Sequence, residues 1–191
     1  NITQWVTSAG LPVEVVDVVP VALYNAVRYS YGDLGGCTLV IDIGARSTSL
    51  VFMEKNQFFS RSLPVVGAGN AITSQLMKEF QLSFADAEQL KFKNASVAFG
   101  GSYEDYADKV LSTVSKTVRS AMTRLHVELE RTINFYRNQQ EGSRPDRVLL
   151  AGGSSVIARM DDFFREKLKL DVEYLNPFKN IVVNARVTDE A

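Results

Sequence analysis

Histidine, cysteine and tryptophan each occur once among the 191 residues, and proline five times. The lone cysteine, Cys37, excludes an intramolecular disulfide, and the lack of any disulfide framework suits a reducing cytoplasm. At the head of an apolar stretch it reads as a small buried residue. One histidine, His126, and one cysteine do not make a zinc set; His126 lies beside the apolar stripe of a long helix and reads as structural. No nucleophile elbow accompanies the serines, which argues against a hydrolase triad. Charge of one sign is also missing: 21 Lys and Arg against 22 Asp and Glu leave a net charge of -1. With no Lys/Arg-rich block either, no nucleic-acid partner is expected. No apolar run reaches the ~18 residues of a membrane span, and no signal peptide is visible. The chain opens at Asn1 inside a helix-like stretch, so a piece of a longer protein is expected. What is present, 46% hydrophobic and 23% charged residues, is the composition of a globular domain with a sizeable core.

Periodicity and punctuation give the order of elements. Residues 1–9 read as the end of a helix stopped by Gly10 and Pro12. The β-branched run 13–19 predicts a buried strand, and Pro20 suits the first turn of a helix over 20–29. Strands are predicted at 38–44, 48–55 and 58–66; their short connections, one of them a turn at Asn56-Gln57, favour an antiparallel meander. Gly67-Ala68-Gly69-Asn70 opens a helix to about Phe80, and Ser83 with Asp86 three residues on caps another over 83–93. After an irregular stretch, 94–106, a helix of 106–140 carries its apolar stripe on Val110, Val114, Val118, Met122, Leu125, Leu129, Ile133 and Tyr136. A strand at 146–151, a helix at 154–169 and a strand at 171–175 follow. Tyr103, Tyr106, Phe163 and Phe164 read as core filler rather than a partner surface. A meander leading into alternating helices and strands predicts an α/β layer with a mixed sheet and flanking helices.

Two segments carry chemistry. In Val40-Ile41-Asp42-Ile43-Gly44-Ala45-Arg46-Ser47-Thr48, an apolar strand delivers Asp42 to a sharp turn at Gly44. A carboxylate there can hold a hydrated Mg²⁺. The small Gly44 and Ala45 let backbone N–H groups approach phosphate oxygens, with Ser47 and Thr48 adding hydroxyls. A plain hairpin with an Asx-type turn accounts for the same residues, and Arg46 fits either phosphate or solvent. In Val148-Leu149-Leu150-Ala151-Gly152-Gly153-Ser154-Ser155, a buried strand runs into two glycines and a Ser-capped helix. A nucleotide could lie there against bare backbone at a helix N-terminus; a tight strand–helix turn is the plainer reading.

The pair, strand-DIG-x-x-S/T and, about a hundred residues on, strand-A-G-G-S, resembles the actin/Hsp70/hexokinase superfamily. The first segment is similar to its second phosphate loop and the other to its adenosine motif. The residues between narrow the resemblance to the PilM family of type IV pilus assembly proteins. VVGAGNAITSQLMKEFQLSFADAEQLK (65–91) is similar to that family's G-G-N-x-(I/L)-T helix and the A-E-x-x-K helix after it. VDVVPVALYNAV (16–27) resembles its V-D-V-E-P-x-A-L helix, and LNPFKNI (175–181) its closing N-P-F. The FtsA and MreB relatives share the loops but fit the intervening helices less well.

The resemblance implies an actin-like, ribonuclease H-like ATPase fold. Residues 1–35 would end a first domain and form a connecting helix; 36–191 would form the second domain, with a small inserted subdomain at about 80–106. It implies ATP or ADP with Mg²⁺. Asp42 would hold the ion through water, and Gly44, Ala45, Ser47 and Thr48 would cradle phosphates, with Gly67 and Gly69 near the same pocket. Glu88 and Lys91 would contact ribose and base, and Gly152, Gly153 and Ser154 the nucleoside. It implies a cytoplasmic protein at the inner membrane, docked on a PilN-like membrane partner and coupled to pilus motor components, with homo-oligomers open. Two departures stand out. The superfamily's first phosphate loop is absent from these residues. Val19 stands before Pro20 where relatives carry a Glu that orients water, which predicts slow hydrolysis; Asp17, on the same face of a strand, could substitute. A sugar kinase, a scaffold with relic loops and a filament-forming ATPase are the rival expectations.

Overall fold

The computed structural model describes residues 2–55, 57–98 and 108–182, opening with the helix α1 (Ile2–Ser8). A five-stranded mixed sheet is ordered β3-β2-β1-β4-β5. The meander is β1 (Thr38–Ile43), β2 (Ser47–Met53) and β3 (Phe58–Pro64), antiparallel throughout. The strand β4 (Arg147–Ala151) joins β1 in parallel and β5 (Asp171–Tyr174) extends it. Both β1 and β2 are buried at nearly every position because both their faces are covered.

One face is the larger core. Leu39, Ile41, Ile43, Leu50, Phe52, Val148 and Leu150 meet helices α3 (Gly69–Phe80), α4 (Phe84–Asn94), α5 (Lys109–Gln139) and α6 (Met160–Leu168). At 31 residues, α5 runs about 46 Å. The stripe expected on it is buried from Val114 to Tyr136, while Val110 at its start is 39% exposed. Tyr136 seals the lower end: its ring lies 4.5 Å from Phe52, and its hydroxyl donates to Glu54 at 2.8 Å. Phe163 and Phe164 are core, as their pattern predicts, whereas Tyr103 and Tyr106 lie outside the described residues. The Ser83 cap also forms, its Oγ accepting from the Asp86 N–H.

The other face is covered by α2 (Val19–Tyr31), whose Val27 packs with Val40, Val51, Met53 and Leu149. This helix is pinned at its C-terminal end by the segment after β5. Asn176 N–H donates to the Tyr31 hydroxyl at 2.9 Å, Ser30 Oγ donates to Pro177 O at 2.8 Å, and the Lys179 ammonium sits 4.3 Å over the Tyr31 ring. The N-P-F residues therefore act here as a latch across α2. Cys37 is fully buried at the start of β1. Burial, helped by the charges of Glu54 and Asp146, pushes its thiol up to about 12 and leaves it inert.

Two expectations fail. Residues 13–19 form no strand; Val15 and Val16 are 81% and 74% exposed, and Val19 already belongs to α2. A strand exists only by pairing, and among the described residues none offers this run a ladder. Its β-branched side chains keep Val18 extended, but nothing more. The alternation placing Asp17 beside Val19 falls with the strand; Asp17 instead accepts the Val18 N–H at 2.7 Å. The helix expected from Ser154 begins only at Met160. Ser154 N–H is drawn to Ile43 O, Ser155 closes back on Gly152 O, and Val97 N–H takes Ala158 O, so tertiary bonds capture this backbone before a helix can start. Of the expected insertion, residues 80–98 share the main core through Ala87 and Val97, and 99–107 lie outside the described residues.

Candidate functional site

The chemistry gathers where β1 and β4 end side by side, with Asp42 in register with Ala151. After Ala151 the chain must turn away without striking β1, and Gly152 does so at φ +86°. A Cβ there would lie 2.4 Å from Asp42 Oδ1 and 2.5 Å from Ile43 O, so only glycine lets this turn stand against the carboxylate. Gly152 and Gly153 are both exposed, and the position of a Cβ on Gly153 meets nothing, leaving an open edge of bare backbone.

The hairpin loop beside it is held from behind. Gly44 N–H closes the turn on Ser47 O at 3.0 Å. The first two N–H groups of α3, on Gly69 and Asn70, donate to the carbonyls of Gly44 and Ala45 at 3.0 and 2.8 Å. The α3 N-terminus is therefore spent on the loop rather than open to an anion. The N–H groups of Ala45, Arg46 and Gly153 donate to no backbone carbonyl among the described residues. Ala45 and Arg46 are exposed at the tip, so these donors face outward.

The predicted residues divide. Asp42, Gly44, Ala45, Gly69, Gly152, Gly153 and Ser154 converge. Ser154 Oγ donates to Gly44 O at 3.3 Å, and a Cβ on Gly69 would come within 2.3 Å of that hydroxyl. Ser47 is half-buried at the mouth of the loop. Thr48 is fully buried and donates its hydroxyl to Val66 O at 3.0 Å, so it braces the loop and presents no donor outward. Gly67 is packed on α5, where a Cβ would lie 2.7 Å from Leu125 Cδ2, and its role is a close approach at φ +70°. Lys91, expected at the base, is turned inward here. Its ammonium is buried, donating to Gly69 O at 3.2 Å, Thr73 Oγ1 at 2.8 Å and Glu88 Oε2 at 2.8 Å. Three acceptors match its three N–H bonds. Glu88 is different, with a side chain 45% exposed. Burial alone would raise its carboxyl, but the hydrogen bonds from Lys91 and Thr73 and the Lys91 charge outweigh that and hold it below the usual value. It is thus an ionised acceptor at the surface of α4. Sequence reasoning missed Thr73, which joins this cluster. It also missed an aromatic ridge on α4, signalled by Phe84, Glu88 and Phe92 at steps of four.

The Asp42 carboxylate has no hydrogen-bond partner among the described residues, and burial raises it above the ordinary value. A half-buried carboxylate without donors is stabilised by a cation. No cluster of three His, Cys, Asp or Glu exists among the described residues to cage one. A single hard oxygen fits Mg²⁺ that keeps most of its waters or takes phosphate oxygens.

A family model described as type IV pilus assembly protein PilM matches residues 2–191. Among solved structures, the chain is similar to one from a PilM-PilN type IV pilus biogenesis complex, with 26% identity and a TM-score of 0.77 over 99% of this chain and 50% of that one. It is also similar to the ethanolamine utilization protein EutJ of Carboxydothermus hydrogenoformans, with 21% identity and a TM-score of 0.61 over 92% and 56%. The MreB 5 of Spiroplasma citri bound to AMPPNP matches with 20% identity and a TM-score of 0.55 over 94% and 66%. The chain thus spans about half the length of the first of these. The fold is the actin-like one, a mixed sheet with flanking helices.

The Asp42 carboxyl gives a test without ligand. A raised folded-state value means that ionisation costs stability, and the cost grows as pH rises through the ordinary carboxylate value of about 3.9 and is complete above the folded value. At pH 7 without Mg²⁺, Asp42→Asn is expected to melt higher, by about 2–4 °C for each kcal/mol released, and the gap should narrow toward pH 4. Equal melting at pH 7 would mean the carboxylate already has a partner.

Proposed function

The chain belongs to the PilM family of type IV pilus assembly proteins, and from that premise we propose that it holds Mg-ATP or Mg-ADP on one wall of an actin-like cleft. The observation that carries this is the contact between the two loops. The Gly152 turn is admitted against Asp42 only because it lacks a Cβ, which puts a cation-seeking carboxylate beside free backbone donors. Asp42 would hold Mg²⁺ through water; the ion would offset phosphate charge. Gly44, Ala45 and Ser47 would line the phosphates, Gly152, Gly153 and Ser154 the nucleoside, and Glu88 would accept from ribose hydroxyls. In this reading residues 1–35 end a first domain and 36–191 form the second. The opposite wall, with the superfamily's first phosphate loop, would come from that first domain.

The same reading makes the protein a cytoplasmic component of the pilus inner-membrane platform, held there by a PilN-like partner and coupled to pilus motor components. Support comes from the solved PilM-PilN complex, to which this chain is similar. No helix among the described residues is long and apolar enough to cross a membrane.

Turnover is expected to be slow. The helix α2 ends beside the start of β1, where Tyr24, Val27 and Arg28 lie near Thr38 and Met53. Val19 opens α2 and is exposed, and an apolar side chain there orients no water.

Calorimetry on the full-length protein tests binding. Mg-ATP binding that falls at least tenfold in Asp42→Ala is expected, an apparent cost of at least ~1.4 kcal/mol. No binding in either would leave a scaffold with relic loops; ATP-dependent sedimentation would favour a filament, and phosphotransfer to a sugar a kinase. For hydrolysis, Val19→Glu is expected to raise the turnover of ATP; an unchanged rate would place the cause elsewhere.

A further inference from the structure

Val65, which follows β3, sits at φ +67°, and among the described residues it is the one β-branched side chain with a positive φ. The other non-glycine cases, Gln81, Glu141, Arg159 and Lys169, lie at helix ends or just after α5. Two heavy atoms on Cβ crowd the backbone in this region, and such strain persists only where the surroundings hold it. Packing does not hold it, because Val65 is 62% exposed. Backbone bonds do. Val66 N–H donates to Pro64 O at 2.8 Å, closing a three-residue turn on Val65 in its strained hand. Ala68 N–H donates to Val65 O at 3.2 Å around Gly67, whose φ of +70° suits the third residue of such a turn. The remaining polar group, Val65 N–H, leaves the turn and donates to Arg46 O at 3.1 Å, in the hairpin loop.

That bond decides where the Ser47 N–H points. A peptide is planar and trans, so each N–H lies opposite the carbonyl before it. The N–H groups of Gly69, Asn70 and Val65 take the carbonyls of Gly44, Ala45 and Arg46 in turn. The N–H groups of Ala45, Arg46 and Ser47 are therefore all turned away from those acceptors. Ser47 N–H would ordinarily close the hairpin on Gly44 O, but that oxygen is taken by Gly69 N–H and Ser154 Oγ. Nor does it face β3. With Val65 bonded to Arg46, the bonded pairs of the β2–β3 ladder fall at Thr48–Leu63 and Leu50–Arg61, which leaves Ser47 opposite Pro64 without a bond. We propose that Val65 is a positioning residue for the hairpin loop: its strained turn holds the Arg46–Ser47 peptide so that Ser47 N–H joins those of Ala45 and Arg46 as a third donor to one phosphate group. This rests on the nucleotide reading above and deepens it by assigning the residue, outside the loop, that sets its last donor. A run of successive N–H groups is what makes a concave anion site.

The test follows the backbone amide resonances of the isotope-labelled full-length protein as Mg-tripolyphosphate is added, in the wild type, Val65→Pro and Val65→Gly. In the wild type, Ala45, Arg46 and Ser47 are expected to shift together. Val65→Pro has no N–H and cannot take the dihedral. It is expected to lose the Ser47 shift, keep those of Ala45 and Arg46, and bind tripolyphosphate roughly tenfold more weakly. Val65→Gly keeps the N–H and accepts the dihedral; it is expected to restore the Ser47 shift and to melt above the wild type. A residue that only joined β3 to α3 would lower the melting temperature in Val65→Pro without singling out Ser47, and that result overturns the proposal. A wild type in which Ala45 and Arg46 shift while Ser47 does not also overturns it and leaves the nucleotide site standing. Val65→Gly melting at or below the wild type overturns it too, by showing that the turn is not strained, and decides the matter even where Val65→Pro fails to fold. A wild type in which none of the three amides shifts defeats the nucleotide reading itself, and the proposal with it.

Discussion

A single buried ammonium organises the functional end of this domain. Lys91 reaches from α4 to the first turn of α3, where Gly69 O and Thr73 Oγ1 accept from it, and Glu88 balances its charge. A buried cation is tolerated only when its donors are matched, and breaking such a set costs more than making it gains. That asymmetry fixes α4 against α3. The same end of α3 gives its first two N–H groups to the hairpin loop, so the position of the loop is tied to the contact that Lys91 makes at Gly69.

The sheet supplies the other half of the geometry. Because β1 and β4 run parallel, both end at the same edge, and the turns that follow them must share one space. Glycine at 152 resolves the conflict with Asp42, and Ser154 then ties the second loop back to the first through the carbonyls of Ile43 and Gly44. A carboxylate is left half-buried with no donor, which is poor for the stability of the empty protein and suited to a cation. The empty carboxylate at this edge thus carries a stability cost that the two covered faces of the sheet absorb.

Much of this was legible in the residues. The meander, the stripe of α5, the Ser83 cap and the burial of Phe163 and Phe164 follow from local periodicity and capping, which depend on neighbours in sequence. The meeting of the two glycine turns was implied by the family resemblance rather than by local pattern. The failures all involve partners distant in sequence. Residues 13–19 have the composition of a strand but find no ladder among the described residues. Residues 154–159 read as a helix but are captured by Ile43 O and the 96–97 segment. Glu88 and Lys91 look like one exposed pair three residues apart, and only the packing of α4 on α3 sends the lysine inward and leaves the glutamate at the surface. Thr48 was legible as a hydroxyl, not as one already committed to Val66 O.

Amide hydrogen exchange on wild type and Lys91→Met tests most directly whether one interior cation holds the loops. The account predicts faster exchange in Lys91→Met at the start of α3, around Gly69 and Asn70, and together with it in the hairpin residues 43–47. Exchange that quickens in α4 alone, with the hairpin as protected as before, would contradict it.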